Sequence, residues 1–193
     1  MKNNIFLENV ENKTFIKEDF TTILIDKCDI TKCTFKNCNF FKSEFSDLNI
    51  SDCTFFNSDL SSVIFENIGL HNCRFVDCKL IGASIATGSL NNVIIKNGIA
   101  NFFNIQNSKI KNSSFDNAIM NHFSLGYNKL KNVKFNNIEM NNSDVISTSL
   151  KDIDLSNCKI NNFRISLDDL KGVQLNSNQA LSVVEMLDIK IVQ

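Results

Sequence analysis

Large apolar residues recur along this chain with a period of five. Every position whose number is a multiple of five holds an apolar residue from Phe15 to Leu175, and only Ala100 among them is small. This period fits neither the 3.6-residue repeat of a helix nor the two-residue alternation of a strand. Polar residues dominate three of the other four positions of each unit. The pattern therefore predicts a solenoid, in which one short unit repeats and stacks on its neighbours.

A second class of position lies two residues before each large apolar residue and favours small side chains. In "CTFKNCNF", Cys33 and Cys38 occupy it ahead of Phe35 and Phe40. All seven cysteines of the chain share this position: Cys28, Cys33, Cys38, Cys53, Cys73, Cys78 and Cys158. Zinc sites place paired ligands two to four residues apart and add histidines, which this spacing does not match. We therefore predict that the cysteines are small buried core residues, and that the chain has no metal site and no cofactor.

The five-residue unit has a defined order of residue types. "CTFKN", "CRFVD" and "IDLSN" each combine a small residue, a polar residue, a large apolar centre and two polar residues. In this order the chain resembles the pentapeptide-repeat proteins, over residues from about 13 to about 175. The resemblance implies an all-β fold, a right-handed quadrilateral parallel β-helix of about eight coils, with one pentapeptide on each of four faces.

Four units per coil would stack residues twenty apart into columns along the rod. Asparagines then form an outer column at a corner: Asn97, Asn117, Asn137 and Asn157. We attribute this column to turn chemistry and side-chain stacking rather than to a ligand site.

The N-terminal end of the repeat departs from the pattern. Glu8, Lys13 and Glu18 occupy the small-residue position, where no core accepts an unpaired charge. An open coil end also needs a cover, because it exposes core residues and unpaired backbone. We therefore predict an N-terminal cap and a degenerate first coil over residues 1–22, followed by the regular β-helix over residues 23–175.

The C-terminal segment, residues 176–193, predicts a different structure. The five-residue pattern stops at Leu175, and apolar residues then follow at helical spacing, with Ser177 or Asn178 as the helix N-cap. The stretch "LKGVQLNSNQALSVVEMLDIKIV" is similar to the C-terminal segment of the pentapeptide-repeat proteins that bind DNA gyrase and confer fluoroquinolone resistance. The resemblance implies that this segment caps the rod and joins two copies tail to tail as a homodimer. The residues expected in the dimer contact are Leu181, Val184, Leu187, Ile189 and Ile191.

Composition and charge indicate one globular domain without enzyme chemistry. The chain is 43% hydrophobic and 21% charged, with a formal net charge of -1. It has no apolar run long enough to span a membrane and no start typical of a signal peptide, so we expect a cytoplasmic protein. His71 and His122 lie in outward positions without the acidic or thiol partners that catalysis requires. The sequence therefore predicts a protein that is not an enzyme.

Two groups of charged residues fall on neighbouring faces of the predicted rod. The candidate acidic contact consists of Glu44, Asp47 and Glu66. The basic patch consists of Lys109, Lys111, Lys129 and Lys131. Gyrase-binding members of the family are thought to act as DNA mimics, which implies DNA gyrase or topoisomerase IV as a partner and the acidic face as the contact. The net charge near zero and the basic patch speak against this function.

A second function stays open, in which the rod is a scaffold that binds a protein other than a topoisomerase. Four outward residues on adjacent coils would form its contact surface: Ile99, Phe102, Ile119 and His122. The alternative is that the isoleucines merely cover the exposed sheet. We do not expect the lysines to bind nucleic acid directly, because too few exposed aromatic residues lie beside them for base stacking.

Overall fold

The chain winds into a four-sided β-helix, in which three faces are parallel sheets. The computed structural model describes Phe6 and residues 8–185. The strands of the first face are Val10–Glu11, Ile30–Thr31, Asn49–Ser51, Gly69–His71, Ser89–Asn91, Lys109–Lys111 and Lys129–Lys131. Those of the second face are Thr14–Ile16, Thr34–Lys36, Thr54–Phe56, Arg74–Val76, Ile94–Lys96, Ser114–Asp116 and Lys134–Asn136.

The other two faces complete each turn. The third face is a row of single parallel bridges that joins every twentieth residue from Asp19 to Lys159. The strands of the fourth face are Leu24–Asp26, Glu44–Ser46, Ile64–Glu66, Ser84–Ala86, Asn104–Gln106, Ser124–Gly126, Asp144–Ile146 and Arg164–Ile165.

Every strand pairs with the strand twenty residues away, in parallel. Phe15 pairs with Phe35, and Ile25 pairs with Phe45. One coil therefore contains four five-residue units, and the eight-stranded sheet of the fourth face corresponds to eight coils. The predicted parallel β-helix of about eight coils, closed by a short C-terminal helix, is confirmed.

The large apolar residue of each unit points into the rod and stacks on its counterparts in the adjacent coils. On the second face Phe15, Phe35, Phe55 and Phe75 form one continuous stack, with ring centroids 5.0, 4.7 and 4.8 Å apart. The rings are close to parallel, with interplanar angles of 10°, 14° and 4°. Each such pair adds about 0.5–1.5 kcal/mol beyond the burial of its area. The core of the rod is therefore a set of columns parallel to its axis.

The cysteines at the small-residue position also point inward, and each hydrogen-bonds to a backbone carbonyl of the preceding coil. The Cys53 thiol accepts from the Cys33 N–H at 3.3 Å and donates to the Ile30 carbonyl at 3.5 Å. All seven cysteines are free and buried. Burial raises the pKa of the Cys53 thiol to about 12 and that of Cys73 to about 11. These thiols are therefore protonated at neutral pH and available as hydrogen-bond donors.

Side-chain amides and hydroxyls likewise hydrogen-bond to inward backbone groups along one inner column of the C-terminal half. The Gly88 N–H donates to Ser108 Oγ at 2.8 Å, and the Ser108 N–H donates to Asn128 Oδ1 at 2.9 Å. The Asn128 N–H donates to Thr148 Oγ1 at 2.9 Å, and its side-chain amide donates to the Ile105 carbonyl at 2.8 Å. An inward N–H on each of these coils thus has a partner inside the core, where water is absent.

The corner between the third and fourth faces satisfies its inward N–H differently. Where the next coil carries phenylalanine, the Ala83 N–H donates to the Leu80 carbonyl at 3.1 Å, and the Phe103 N–H donates to the Ala100 carbonyl at 3.2 Å. The backbone turn therefore closes on itself and needs no side-chain acceptor. This explains why the small-residue position accepts phenylalanine at this corner.

The residue that follows each face turns the corner with a left-handed backbone. Positive φ angles recur at every fifth residue from Asn12 onward, and asparagine and aspartate account for most of them. These two residue types tolerate this conformation better than other non-glycine residues. Asn97, Asn117 and Asn137 of the predicted corner column belong to this group, and Asn137 Nδ2 donates to Asn117 Oδ1 at 2.9 Å. Asn157 does not share the conformation.

Two short helices close the C-terminal end, Leu167–Leu170 and Ser177–Glu185. The second begins with a reciprocal capping pair: Asn176 Oδ1 accepts from the Gln179 N–H at 3.0 Å, and Gln179 Oε1 accepts from the Asn176 N–H at 2.8 Å. The predicted N-cap, Ser177 or Asn178, is therefore wrong by one or two residues, because both lie inside the helix.

At the N-terminal end the strand register is already regular before residue 23. Val10–Glu11 and Thr14–Ile16 pair with the next coil in the same twenty-residue register. Glu8, Lys13 and Glu18 are exposed at this edge of the rod. The division of the chain at residue 23 stays a prediction.

The part of the chain that the structure describes lacks two features. None of its helices has the length and apolar character that a bilayer-spanning segment needs. Among the same residues, no group of three or more His, Cys, Asp or Glu side chains is arranged to hold a metal ion.

Candidate interaction surfaces

An apolar stripe crosses three adjacent coils on the third face. We define the stripe as Ile81, Ile99, Phe102, Ile119 and His122. Ile99 and Ile119 face each other across a parallel bridge, and the three isoleucines are each exposed by 38–40%. The structure thus brings the four residues predicted from the sequence onto one surface and adds Ile81 to them.

The aromatic pair at the edge of the stripe has an unusual backbone. The rings of Phe102 and His122 are stacked, with centroids 4.6 Å apart and an interplanar angle of 6°. Both residues lie at the corner position and have positive φ angles of 60° and 59°. Phe102 is 59% exposed. Gly82 precedes Phe102 in the same column, so no side chain at that corner covers the opposite face of the ring.

The basic patch lies on the first face, with its lysines directly opposite one another. Lys109 pairs with Lys129, and Lys111 pairs with Lys131, on adjacent parallel strands. All four side chains are exposed, and none forms an ion pair with a residue that the structure describes. Like charges directly opposite each other destabilise a sheet.

The acidic residues lie on the fourth face, in the N-terminal half. Glu44 and Glu66 belong to adjacent strands but are not paired, because Glu44 lies opposite Ile64 and Ser46 lies opposite Glu66. Asp47 at the corner accepts a hydrogen bond from the Asn67 side chain. The three carboxylates are exposed on one face without forming a compact cluster.

The C-terminal end of the rod presents apolar surface beside the last helix. Leu181 is 47% exposed, and Val184 is partly buried. A groove of about 350 Å³ separates the helix from the last coil and is lined by Ile160, Asn161, Asn162, Phe163, Ile165, Leu170, Gln179, Ser182 and Val183. The other predicted contact residues, Leu187, Ile189 and Ile191, lie outside the described residues.

Comparison with known families supports the repeat unit directly. A family model described as a pentapeptide repeat region matches residues 28–105. These residues are a pentapeptide repeat region. The family predicted from the sequence is confirmed, and the same pentapeptide register continues in the structure to Ile165. A search of curated proteins finds no match to this chain.

Solved pentapeptide-repeat structures are similar to this chain at low identity. Trypsin-treated QnrB1, a plasmid-mediated fluoroquinolone resistance protein, is 15% identical, with 95% of this chain and 100% of that chain covered and a TM-score of 0.46. HetL from the cyanobacterium Nostoc sp. strain PCC 7120, involved in heterocyst differentiation regulation, is 12% identical, with 89% and 91% covered and a TM-score of 0.45. A pentapeptide repeat protein from the Arabidopsis thaliana thylakoid lumen is 12% identical, with 71% of each chain covered and a TM-score of 0.37. Since all three TM-scores are below 0.5, the fold assignment depends on the strand register above.

The structure also reveals two residues that pentapeptide periodicity does not single out. Tyr127 is 60% exposed at the corner between the fourth and first faces, next to Lys129. Gln179 is buried beneath the last helix, where its side-chain amide donates to the carbonyls of Leu155 and Cys158 at 2.8 and 2.7 Å. The signal for Tyr127 was available in the sequence, as an aromatic residue at a position where asparagine dominates. No sequence signal marked Gln179, because its partners are backbone atoms.

Proposed function

We propose that this pentapeptide-repeat chain is a non-enzymatic protein-binding rod, and that the apolar stripe on the third face binds its partner. The partner in this proposal is a protein other than a topoisomerase. The observation that carries the proposal is the stacked pair of Phe102 and His122, which is exposed at a corner where the backbone disfavours bulky side chains.

The backbone at this corner argues against a purely structural role for the pair. A left-handed conformation costs a residue with a bulky side chain on the order of 1–2 kcal/mol, and strain of this kind concentrates at functional sites. Asparagine, which suits the conformation, occupies the same corner two coils further on at Asn142. Neither Phe102 nor His122 fills the core, so stability of the fold does not account for the two rings.

The surroundings of the pair suit a protein contact. Aromatic residues are the usual anchors of protein interfaces, and the flanking isoleucines supply apolar area that water leaves on binding. The half-buried side-chain amides of Asn101, Asn121 and Asn141 form a ladder beside the stripe, with hydrogen bonds of 3.0 Å from backbone to side chain. The surface thus combines an apolar centre with a polar border.

The test compares proteins captured by three forms of the chain. Replacing both rings, Phe102→Asn with His122→Asn, should abolish specific capture from a native lysate while leaving the fold intact or slightly more stable. Phe56→Thr is the matched control, because Phe56 is also an exposed phenylalanine but lies on the second face. Quantitative mass spectrometry and thermal unfolding provide the two readouts. Identical capture by all three forms would refute the proposed contact surface.

DNA gyrase is the second candidate partner, on account of the exposed acidic residues of the fourth face. In this proposal the rod mimics duplex DNA and Glu44, Asp47 and Glu66 contact the enzyme, as the family resemblance implies. Replacing the three with lysine should weaken inhibition of supercoiling, and added salt should weaken it further. Replacing the four lysines of the basic patch with glutamate should leave inhibition unchanged or increase it.

A supercoiling assay with and without a fluoroquinolone decides this second candidate. If the wild-type protein in large excess neither inhibits gyrase nor protects it from the drug, gyrase is not the partner. That result would leave the third-face proposal standing, because the two surfaces share no residue. Topoisomerase IV is tested in the same way by decatenation.

We also propose that the C-terminal segment caps the rod and joins two copies as a homodimer. The support is the exposed Leu181 on a short helix that lies over the open coil end, together with the apolar lining of the adjacent groove. A twofold mate would bury this surface with the same residues from both copies.

A further inference from the structure

The basic patch concentrates positive charge on a chain whose formal net charge is -1. Its neighbours along the first face offer no compensation: Ser89 and Asn91 lie opposite Lys109 and Lys111 on one side. The paired lysines therefore repel one another across adjacent strands. A negatively charged partner would remove this repulsion.

A groove leads to the patch along the corner between the fourth and first faces. The groove has a volume of about 370 Å³ and is lined by Asn49, Asn67, Ile68, Gly69, Thr87, Gly88, Ser89, Asn107 and Lys109. Its lining is mainly uncharged and polar. From Asn49 to Lys109 it spans three coil steps, which is about 14 Å at the usual inter-strand spacing.

Tyr127 supplies an exposed aromatic ring one coil beyond this groove. It follows Asn107 in the corner column and immediately precedes the coil segment that carries Lys129 and Lys131. Its 60% exposure and its positive φ of 56° place a bulky ring at a position that asparagine or serine fills with less strain. The earlier objection to nucleic-acid binding, too few exposed aromatic residues beside the lysines, does not take this ring into account.

We propose that the basic patch, the groove and Tyr127 together bind single-stranded nucleic acid. The four ammonium groups would neutralise phosphates, and the tyrosine ring would stack on one base. A duplex hides the faces of its bases, whereas a single strand offers them, so the exposed ring favours the single strand. The surface lies on a different face from the apolar stripe, and the two can be tested independently.

Fluorescence anisotropy with a labelled thymidine oligomer of roughly 20 nucleotides tests the proposal. Four neutralised phosphates predict a slope of log affinity against log salt near -2.8, about -0.7 for each charge on a single strand. Affinity should therefore fall about fiftyfold between about 50 and about 200 mM salt. A duplex of the same length and poly-L-glutamate are the competing probes.

Two sets of variants distinguish binding by the patch lysines from an effect of the net charge of the chain. Replacing the four patch lysines with glutamine should weaken oligomer binding at least about tenfold at low salt and bring the slope close to zero. The matched control replaces four exposed lysines elsewhere, Lys17, Lys36, Lys42 and Lys79, and changes the net charge equally. The control should retain wild-type affinity within about twofold.

Two variants of one residue test the stacking. Tyr127→Ser should weaken binding roughly 5- to 150-fold, which corresponds to the loss of one stacked base. Serine is tolerated at this corner, because Ser147 follows in the same column with a positive φ. Tyr127→Phe keeps the ring and should retain wild-type affinity.

Several results would overturn the proposal. One is a wild-type protein that does not bind the oligomer at low salt. Equal loss in the patch and control variants would show that only net charge matters. Equal or tighter binding of the duplex or of poly-L-glutamate, or an unaffected Tyr127→Ser, would rule out recognition of a single strand.

Discussion

Replacing Asn128 with leucine should destabilise the C-terminal half of the rod, although leucine fits the space. The same inner column holds Leu48 and Ile68 in earlier coils, so the core accepts an aliphatic side chain at this position. The substitution removes the acceptor of the Ser108 N–H and a donor to the Ile105 carbonyl, at 2.9 and 2.8 Å. The buried Ser108 N–H is then left without a partner, and the Ile105 carbonyl loses one of its two donors.

The expected magnitude follows from these two groups. A buried N–H without a partner costs about 1–3 kcal/mol and the lost bond to the carbonyl about 1 kcal/mol, so the two together cost roughly 2–4 kcal/mol. Burying leucine in place of an amide returns up to about 2 kcal/mol. From the middle of that cost, about 3 kcal/mol, the net loss should be about 1–3 kcal/mol. Asn128→Ser should lose about half as much, because a hydroxyl still accepts from the Ser108 N–H, as Ser108 itself accepts from Gly88.

Hydrogen exchange is the appropriate assay, since coils of a solenoid can unfold separately and a global midpoint would average over them. The Ser108 amide should exchange roughly 5- to 150-fold faster in Asn128→Leu than in the wild type. The control is Asn136→Ala, which removes an exposed amide on the second face and should change stability by less than about 0.5 kcal/mol. If the Ser108 amide stays as protected in Asn128→Leu as in the wild type, the inner hydrogen bonds do not stabilise the rod.

Three further outcomes are expected. All seven thiols should resist alkylation in the native protein and react after denaturation. Burial raises the pKa of Cys53 to about 12 from 9.0, so the contribution of this protonated thiol to the free energy of unfolding should be intact below about pH 9 and decline towards about pH 12. The decline should be smaller in Cys53→Ser. Leu181→Asp should convert a dimer to a monomer in sedimentation equilibrium, whereas a wild-type chain that is monomeric at high concentration would contradict the dimer. Gln179→Ala should release the last helix and destabilise the C-terminal coil by roughly 1–3 kcal/mol, since the buried Cys158 carbonyl loses its donor while the Leu155 carbonyl keeps the Cys158 N–H; unchanged helix content by circular dichroism would contradict this.

The regularity of the sequence made the fold predictable. Because one position in five is apolar without interruption from Phe15 to Leu175, the sequence identifies the side chains that point inward. The number of coils follows once four units form a turn. The columns of residues twenty apart follow from this register, so the sequence correctly placed the members of each lysine pair and of the isoleucine pair opposite one another.

The unpredicted parts depend on differences between corners that the repeat conceals. Cys53 and Phe103 occupy equivalent positions of the unit, yet a side chain of the adjacent coil serves the inward N–H at one corner and a backbone turn serves it at the other. Periodicity cannot distinguish these corners, and it likewise gives no weight to a single aromatic residue such as Tyr127. The contact of Gln179 with backbone carbonyls depends on the path of the chain after the repeat has ended.

The twenty-residue register gives every surface residue an angular coordinate, equal to its number modulo twenty. Inserting or duplicating twenty residues would lengthen the rod and leave all faces aligned, whereas deleting one pentapeptide would rotate everything beyond it by a quarter turn. A deletion between Lys111 and Lys129, for example, would move Lys129 and Lys131 out of line with Lys109 and Lys111 while each coil remained correctly formed. Lineages that change length by whole coils can therefore keep a composite surface, and a change of a single unit separates its halves without unfolding the protein.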